Sequence, residues 1–300
     1  MKLLTIDTQP GSAPGVLTED GRVLNLADAG ESGLPSSVRD ILNVGLDGLT
    51  TIADYLTSNS GKAEPLEEVS LLAPVPNPNL ILSVGLNYWK HLEEMAGTPV
   101  PKHPTAFHKA RATLTGSGKN IHIPPHCPNM IDYEGELTVV MGATCHNVTA
   151  DEAMDYVAGY TLANDVSARD WVGDVFNAEG SFPAILAWER NIHGKQLPGF
   201  TPCGPFLTTK DEIPDPHVLH METRLNGAVM QSTNTDDMIF KIPELISYFS
   251  QWYQFKPGDL ITTGSPAGVG FGRDPQVFMM SGDQVEVEAD GLGTLTNTLK

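Results

Sequence analysis

The 300-residue chain has few cysteines, few positive charges and no long apolar run. Its three cysteines, Cys127, Cys145 and Cys203, are odd in number and form no CxxC pair. A disulfide framework and a thiolate zinc site are both disfavoured. Eighteen Lys and Arg stand against 37 Asp and Glu, a net charge of −19. Such a field repels nucleic acid and anionic membrane, so neither is an expected partner. No apolar stretch approaches the roughly 20 residues a bilayer span requires. The opening "MKLLTID" meets Asp7 too early for a secretory leader. A cytoplasmic protein is the expectation. Repeats, low-complexity tracts and a regular strand–helix alternation are also missing, the last arguing against a doubly wound or TIM-type sheet.

What the chain does contain is turn chemistry: 29 Gly and 23 Pro, with 40% apolar residues to fill a core. Many short strands follow from that composition. Residues 1–72 read as a small N-terminal α+β domain. Strand "LLTID" precedes a hairpin with Asp20-Gly21 at its turn, and "VRDILNV" and "LTTIADYL" carry helical apolar spacing. The proline-rich "LLAPVPNPN" (71–79) reads as a linker to a β-rich α+β domain over 73–300. In that body a capping box, Thr149 to Glu152, opens a helix expected to run toward Gly159. Pro243 suits the first turn of a helix over 243–253. "VEVEADGLGTLTNTL" alternates around a Gly-rich turn as a hairpin does.

The first candidate site is "IDYEGELTVVMG" (131–142), read as one strand. Its period of two puts Glu134 and Glu136 on one face, and Tyr133, Leu137, Val139 and Met141 on the other. A solvated edge strand tolerates such a pair; an apolar setting does not, unless a cation intervenes. "YTLANDVSARD" (160–170) adds Asp165 within another nearly uncharged stretch. Three converging carboxylates make a hard oxygen site, favouring Mg²⁺, or Mn²⁺ or Ca²⁺, over zinc.

A second candidate lies in "GLNYWKHLEEM" (85–95), where a helical turn makes His91 and Glu94 neighbours at i and i+3. A carboxylate beside an imidazole fixes its tautomer and raises its basicity; an incidental surface ion pair is the competing reading. His108, Lys109, Arg111 and Lys195 could hold a carboxylate or oxyanion, or be ordinary surface residues. "TTGSPAGVGFG" (262–272) matches neither GxGxxG nor GxxxxGK[ST]. A tight turn whose glycine N–H groups approach a ligand is expected there.

The order of these motifs resembles the fumarylacetoacetate hydrolase (FAH) family over about residues 79–300. The segments are "VGLNYWKHLEEM", "PTAFHKARATLTGSGKNIHIP", "DYEGELTVVMG", "VAGYTLANDVSARD", "MQSTNTDDMIF" and "FKPGDLITTGSPAGVG". The resemblance implies a mixed β-roll core, a homodimer and a divalent metal held by Glu134, Glu136 and Asp165. It implies a water-activating dyad of His91 and Glu94, and Lys195 near an oxyanion. It further implies substrate contacts from Asn87, Tyr88, Lys109, Arg111, Asp170 and Ser265. The implied substrate is a small anionic 2-oxo or β-diketo acid, such as an acylpyruvate or fumarylacetoacetate, cleaved at a C–C bond. Decarboxylation or tautomerisation of a related 2-oxo acid, in aromatic or sugar-acid catabolism, is the alternative. A non-catalytic metal- or ligand-binding homologue is a third reading. The chain departs from the family pattern at Ser265 (often Thr), Val172 (often Gln) and Pro198 (often Asp). Segment 171–193 is longer and more apolar than usual, as a wall or a lid, and points to a more apolar leaving group or another reaction class.

Overall fold

The computed structural model describes residues 1–9, 11–27, 33–95 and 98–300. Short strands dominate, as the turn-rich composition requires. The largest sheet has twelve strands. Its centre is antiparallel: Lys2–Asp7, Thr201–Thr209, Val157–Asn164, Gly135–Met141 and Leu260–Thr262 lie side by side in that order. Ile81–Gly85 then pairs parallel to Leu260–Thr262. A second, five-stranded sheet includes the hairpin Gln284–Ala289 and Gly293–Leu299 expected from the C-terminal alternation.

Residues 1–72 begin with the strand and hairpin read from the sequence; Ser12–Leu17 pairs with Arg22–Asn25 around Asp20-Gly21. Helix α1 (Val38–Val44) starts at Ser37, whose side chain accepts the Asp40 N–H, and ends at Gly45 with φ 72°. Helix α2 (Leu46–Asn59) follows at once. This segment does not stand apart. Lys2 and Leu3 pair with Thr208 and Leu207, and Leu3, Val16, Ile41 and Ile52 share one cluster with Val140, Leu207 and Leu260. The proline-rich stretch is packed as well, with Ala73 and Val75 buried in that cluster.

In the main body, α3 spans Trp89–Glu94. The capping box of Thr149 and Glu152 is present, but α4 covers only Ala150–Ala153. The expected continuation toward Gly159 is instead strand from Val157. Val157, Tyr160 and Leu162 enter the core there, and sheet pairing on both sides outweighs helical spacing. Helices α5 (Val172–Phe176) and α6 (Ser181–His193) form a hairpin from segment 171–193. Helix α7 (Ile242–Ser250) has Pro243 in its first turn and buries Leu245, Ile246 and Phe249. The principal core lies between the sheets and α7, joining Leu137, Val139 and Leu162 to Met221, Val287 and Leu295. No helix among the described residues is long and apolar enough to cross a membrane.

Candidate metal centre and a neighbouring histidine–glutamate pair

Strand register creates the centre. Gly135 pairs with Asn164, so Asp165 emerges beside Glu134. The Asp165 N–H donates to the Glu134 carbonyl at 2.8 Å, and the Glu134 N–H donates to Asn164 Oδ1 at 2.9 Å. That side-chain bond interrupts the ladder. The stretch expected as one strand is therefore two, Ile131–Asp132 and Gly135–Met141, with Glu134 at the break. Gly135 separates the glutamates because a Cβ would stand 2.1 Å from Thr223 Oγ1. Carboxylate oxygens of Glu134, Glu136 and Asp165 lie within 4.8 Å of one another, all buried.

Three cations crowd this cluster. Lys195 Nζ donates to Glu134 Oε2 at 2.7 Å, Asp165 Oδ2 at 2.8 Å and Ser167 Oγ at 2.6 Å. Lys109 Nζ contacts Asp165 Oδ1 and donates to the Phe200 carbonyl at 2.8 Å. Arg169 donates from Nε to Asp132 Oδ2 at 3.0 Å and from a terminal nitrogen to Glu134. Four buried carboxylates (Asp132, Glu134, Glu136, Asp165) thus face three cations. Burial works against ionised Glu134, yet Lys195 and Arg169 outweigh it and hold its carboxyl well below the usual range. Glu136 is the one left over. Burial, then repulsion from Asp165 and Glu134, pushes its carboxyl up to about 8. An uncompensated buried carboxylate beside two others is what a divalent cation relieves, and the all-oxygen donor set suits a hard ion. The residues present fit a divalent metal held by Glu134, Glu136 and Asp165.

An imidazole–carboxylate pair comes from α3. His91 Nδ1 lies 3.0 Å from Glu94 Oε2. The Gly268 N–H donates to both Glu94 oxygens, at 3.0 and 3.2 Å. An acceptor-only carboxylate places the proton on Nδ1 and leaves the Nε2 lone pair free. Among the described residues Nε2 has no hydrogen-bond partner, and His91 lines the same cavity as the three carboxylates. That cavity is about 220 Å³, with Arg169, Lys195 and Ser265 also in its wall.

The glycine-rich loop after Thr263 corrects an expectation. Its N–H groups approach the protein's own carboxylates. Gly264 N–H donates to Glu136 at 3.0 Å, Gly268 N–H to Glu94, and Gly270 and Phe271 N–H to Asp132 at 2.7 and 3.1 Å. One loop therefore holds a triad carboxylate, the dyad carboxylate and the partner of Arg169. Gly268 has φ +101°, and a Cβ there would meet the Met230 carbonyl at 2.3 Å.

Not every residue expected at the site meets the cavity. Lys109 lies behind Asp165, outside the lining. Asn87 spans two loops, donating to the Phe240 and Thr263 carbonyls and accepting the Phe240 N–H at 2.8 Å. Tyr88 is buried in the core against Leu137 and Met238, and burial pushes its phenol up. Asp170 is outside the lining, its buried Oδ2 without a hydrogen-bond partner among the described residues. Arg111 is exposed and lines a different cleft, with Leu72, Pro76 and Lys119. Arg169 and Asp132 were missed by sequence reasoning. Their only signal was a charge within each apolar stretch, "IDYEGEL" and "VSARD".

Residues 80–300 match the family described as fumarylacetoacetate (FAA) hydrolase, C-terminal. The chain belongs to the fumarylacetoacetate hydrolase family. It is 38% identical over 300 residues to the mitochondrial oxaloacetate tautomerase fahd2 of Xenopus laevis, covering 99% of this chain and 89% of that one. It is 39% identical over 236 residues to the oxaloacetate tautomerase YisK of Bacillus subtilis (strain 168), covering 78% of this chain and 74% of that one. The fold is shared with the maleylpyruvate hydrolase of Sphingobium sp. SYK-6, solved with manganese(II) and pyruvate. That match has a TM-score of 0.76 and 25% identity, over 100% of this chain and 98% of that one. The relatives' names favour the isomerisation alternative over the C–C hydrolase expected first from the motifs.

Proposed function

We propose that the protein is a divalent-cation-dependent tautomerase that interconverts the keto and enol forms of a small 2-oxo acid. The reading rests on likeness to an oxaloacetate tautomerase over 99% of this chain, joined to a site whose free base, His91 Nε2, shares a cavity with three carboxylates. The cavity, about 220 Å³, suits a small acid. Glu134, Glu136 and Asp165 would hold the metal, Mg²⁺ foremost, with Mn²⁺ or Ca²⁺ able to replace it. Bound there, the cation supplies electrophilic polarisation of the 2-oxo group.

The chain's own groups move the proton. His91 Nε2 takes a proton from C3, and the C–H electron pair becomes the C2–C3 double bond as charge passes to the C2 oxygen. Glu94 keeps Nδ1–H oriented and stabilises the imidazolium that forms. Burial opposes the Lys195 ammonium, but Asp165 and Glu134 outweigh it and raise its pKa. Lys195 therefore stays charged with its three N–H groups on Glu134, Asp165 and Ser167, and its positive charge stabilises the oxygen where charge collects. That oxygen takes a proton from solvent to complete the enol. Reversal of the same steps returns the keto acid, and no bond between carbons breaks.

Likeness to a maleylpyruvate hydrolase supports a second reading, in which His91 deprotonates water for attack on a β-diketo acid. The two separate by product. Enol oxaloacetate or enol phenylpyruvate, added to the Mg²⁺-loaded protein, should lose its ultraviolet absorbance faster than in buffer, with no carbon dioxide and no new acid released. Loss of that acceleration in His91→Ala is expected. Release of two acids from an acylpyruvate, without enol conversion, would replace the tautomerase reading with hydrolysis.

A further inference from the structure

The helical hairpin α5–α6 builds one whole side of the cavity. It contributes Val172, Val175, Phe176, Trp188, Ile192 and, as its one amide side chain there, Asn191. Phe176 also stacks on Phe271 of the glycine-rich loop, centroids 6.2 Å apart and planes 8° from parallel. The cavity's Lys and Arg side chains, at the base of the hairpin, are both turned onto the carboxylate centre: Lys195 is on Glu134 and Asp165, and Arg169 on Asp132 and Glu134. The only Lys or Arg in segment 171–193 is Arg190. It faces away, bonded to Asp174 at 3.2 Å and stacked over Trp171 at 5.3 Å. The carboxylate and ketone of a 2-oxo acid thus meet cations, whereas its far substituent meets hydrocarbon and one amide.

We infer that the preferred substrate is a monocarboxylic 2-oxo acid whose distal substituent is uncharged and largely apolar, selected by the α5–α6 wall. This rests on the 2-oxo acid reading of the site and narrows it away from the dicarboxylate that the relatives' names specify. A second carboxylate placed there would lose its water without gaining a cation, whereas an alkyl or aryl group would gain burial. Val172, Val175, Phe176, Trp188 and Ile192 are specificity-determining residues in this account.

The test compares two ligands of nearly the same shape. In 4-methyl-2-oxopentanoate an isopropyl group stands where oxaloacetate has its second carboxylate. Calorimetric titration of the Mn²⁺-loaded full-length protein, with oxalate as a ligand lacking any tail, reads head and tail separately. Oxalate should bind, and 4-methyl-2-oxopentanoate should bind about tenfold or more tighter than oxaloacetate. Val175→Arg should shift that ratio toward oxaloacetate, and Trp188→Ala should weaken 4-methyl-2-oxopentanoate. If oxalate binds but oxaloacetate is held as tightly as its isostere, the apolar-tail inference is wrong and the 2-oxo acid reading stands. A ratio unmoved by Val175→Arg, in a variant with unchanged Tm, also overturns it. Failure of oxalate to bind would overturn the 2-oxo acid reading and this inference with it.

Discussion

The Gly268 N–H donates to both carboxylate oxygens of Glu94, at 3.0 and 3.2 Å, across 174 residues of sequence. Glu94 in turn faces His91 Nδ1 at 3.0 Å, so a backbone amide in a distant loop positions the partner of the proposed base. Glu94→Gln keeps the shape and removes the charge that stabilises the imidazolium. We expect kcat to fall roughly 10²-fold, with His91→Ala falling at least as far. Steady-state kinetics on an enol substrate checks both, and KM should move little for Glu94→Gln.

Gly268→Ala tests the other end of that contact. The new methyl would strike the Met230 carbonyl, and φ +101° is itself unfavourable for alanine. Displacement of the loop at Gly268 should loosen Glu94 first, since the loop's bond to the triad comes from Gly264, four residues away. The expected outcome is a lower Tm and a large loss of kcat, with metal affinity in calorimetry close to wild type.

Arg169 bridges Asp132 and Glu134 in the interior. Arg169→Met leaves both carboxylates buried without that partner, a change that typically costs about 3 kcal/mol or more. Chemical denaturation of the metal-free variant should show this loss. If its stability matches wild type, the charge count at the centre is wrong.

Glu136 gives the centre a pH signature. In the metal-free protein its carboxyl is pushed up to about 8, from an ordinary 4.5, so the folded state holds a proton the unfolded state releases. Its contribution to stability therefore falls as pH rises from about 4.5 through about 8. Metal binding must displace that proton, so Mg²⁺ affinity should climb over the same window and level off above it. Thermal melts with and without Mg²⁺ should diverge as pH rises. Glu136→Gln should remove the divergence.

Arg111 offers a contrast. It lines a cleft with Leu72, Pro76 and Lys119, apart from the carboxylate cavity. Arg111→Ala should leave kcat/KM within about twofold of wild type, as exposed substitutions away from a site usually do. A loss comparable to that of His91→Ala would place Arg111 in the reaction after all.

Local patterns were legible because their causes are local. Alternation put Glu134 and Glu136 together, i,i+3 spacing paired His91 with Glu94, and the Thr149–Glu152 box marked a helix start. The limits of α4 were not legible, since pairing of Val157–Asn164 on both edges overrode helical spacing. The role of Arg169 was hidden for the same reason: its partners lie 35 and 37 residues away, on a strand whose register the sequence does not specify.

By itself, then, the amino-acid order determined which groups could do chemistry: two glutamates and an aspartate for a cation, an imidazole with its carboxylate, and a lysine. Tertiary structure decided how they are held. The register of Gly135 on Asn164 brings Asp165 to Glu134, and the N–H groups of residues 264–271 fix three carboxylates. It likewise decided that Lys2–Asp7 joins the main sheet, and that 171–193 folds into a wall facing the site. These outcomes depend on contacts between segments distant in sequence, from Gly135 with Asn164 to Glu136 with Gly264, 128 residues apart. Such contacts are selected by packing and by the need to satisfy buried polar groups, which no short stretch of sequence encodes.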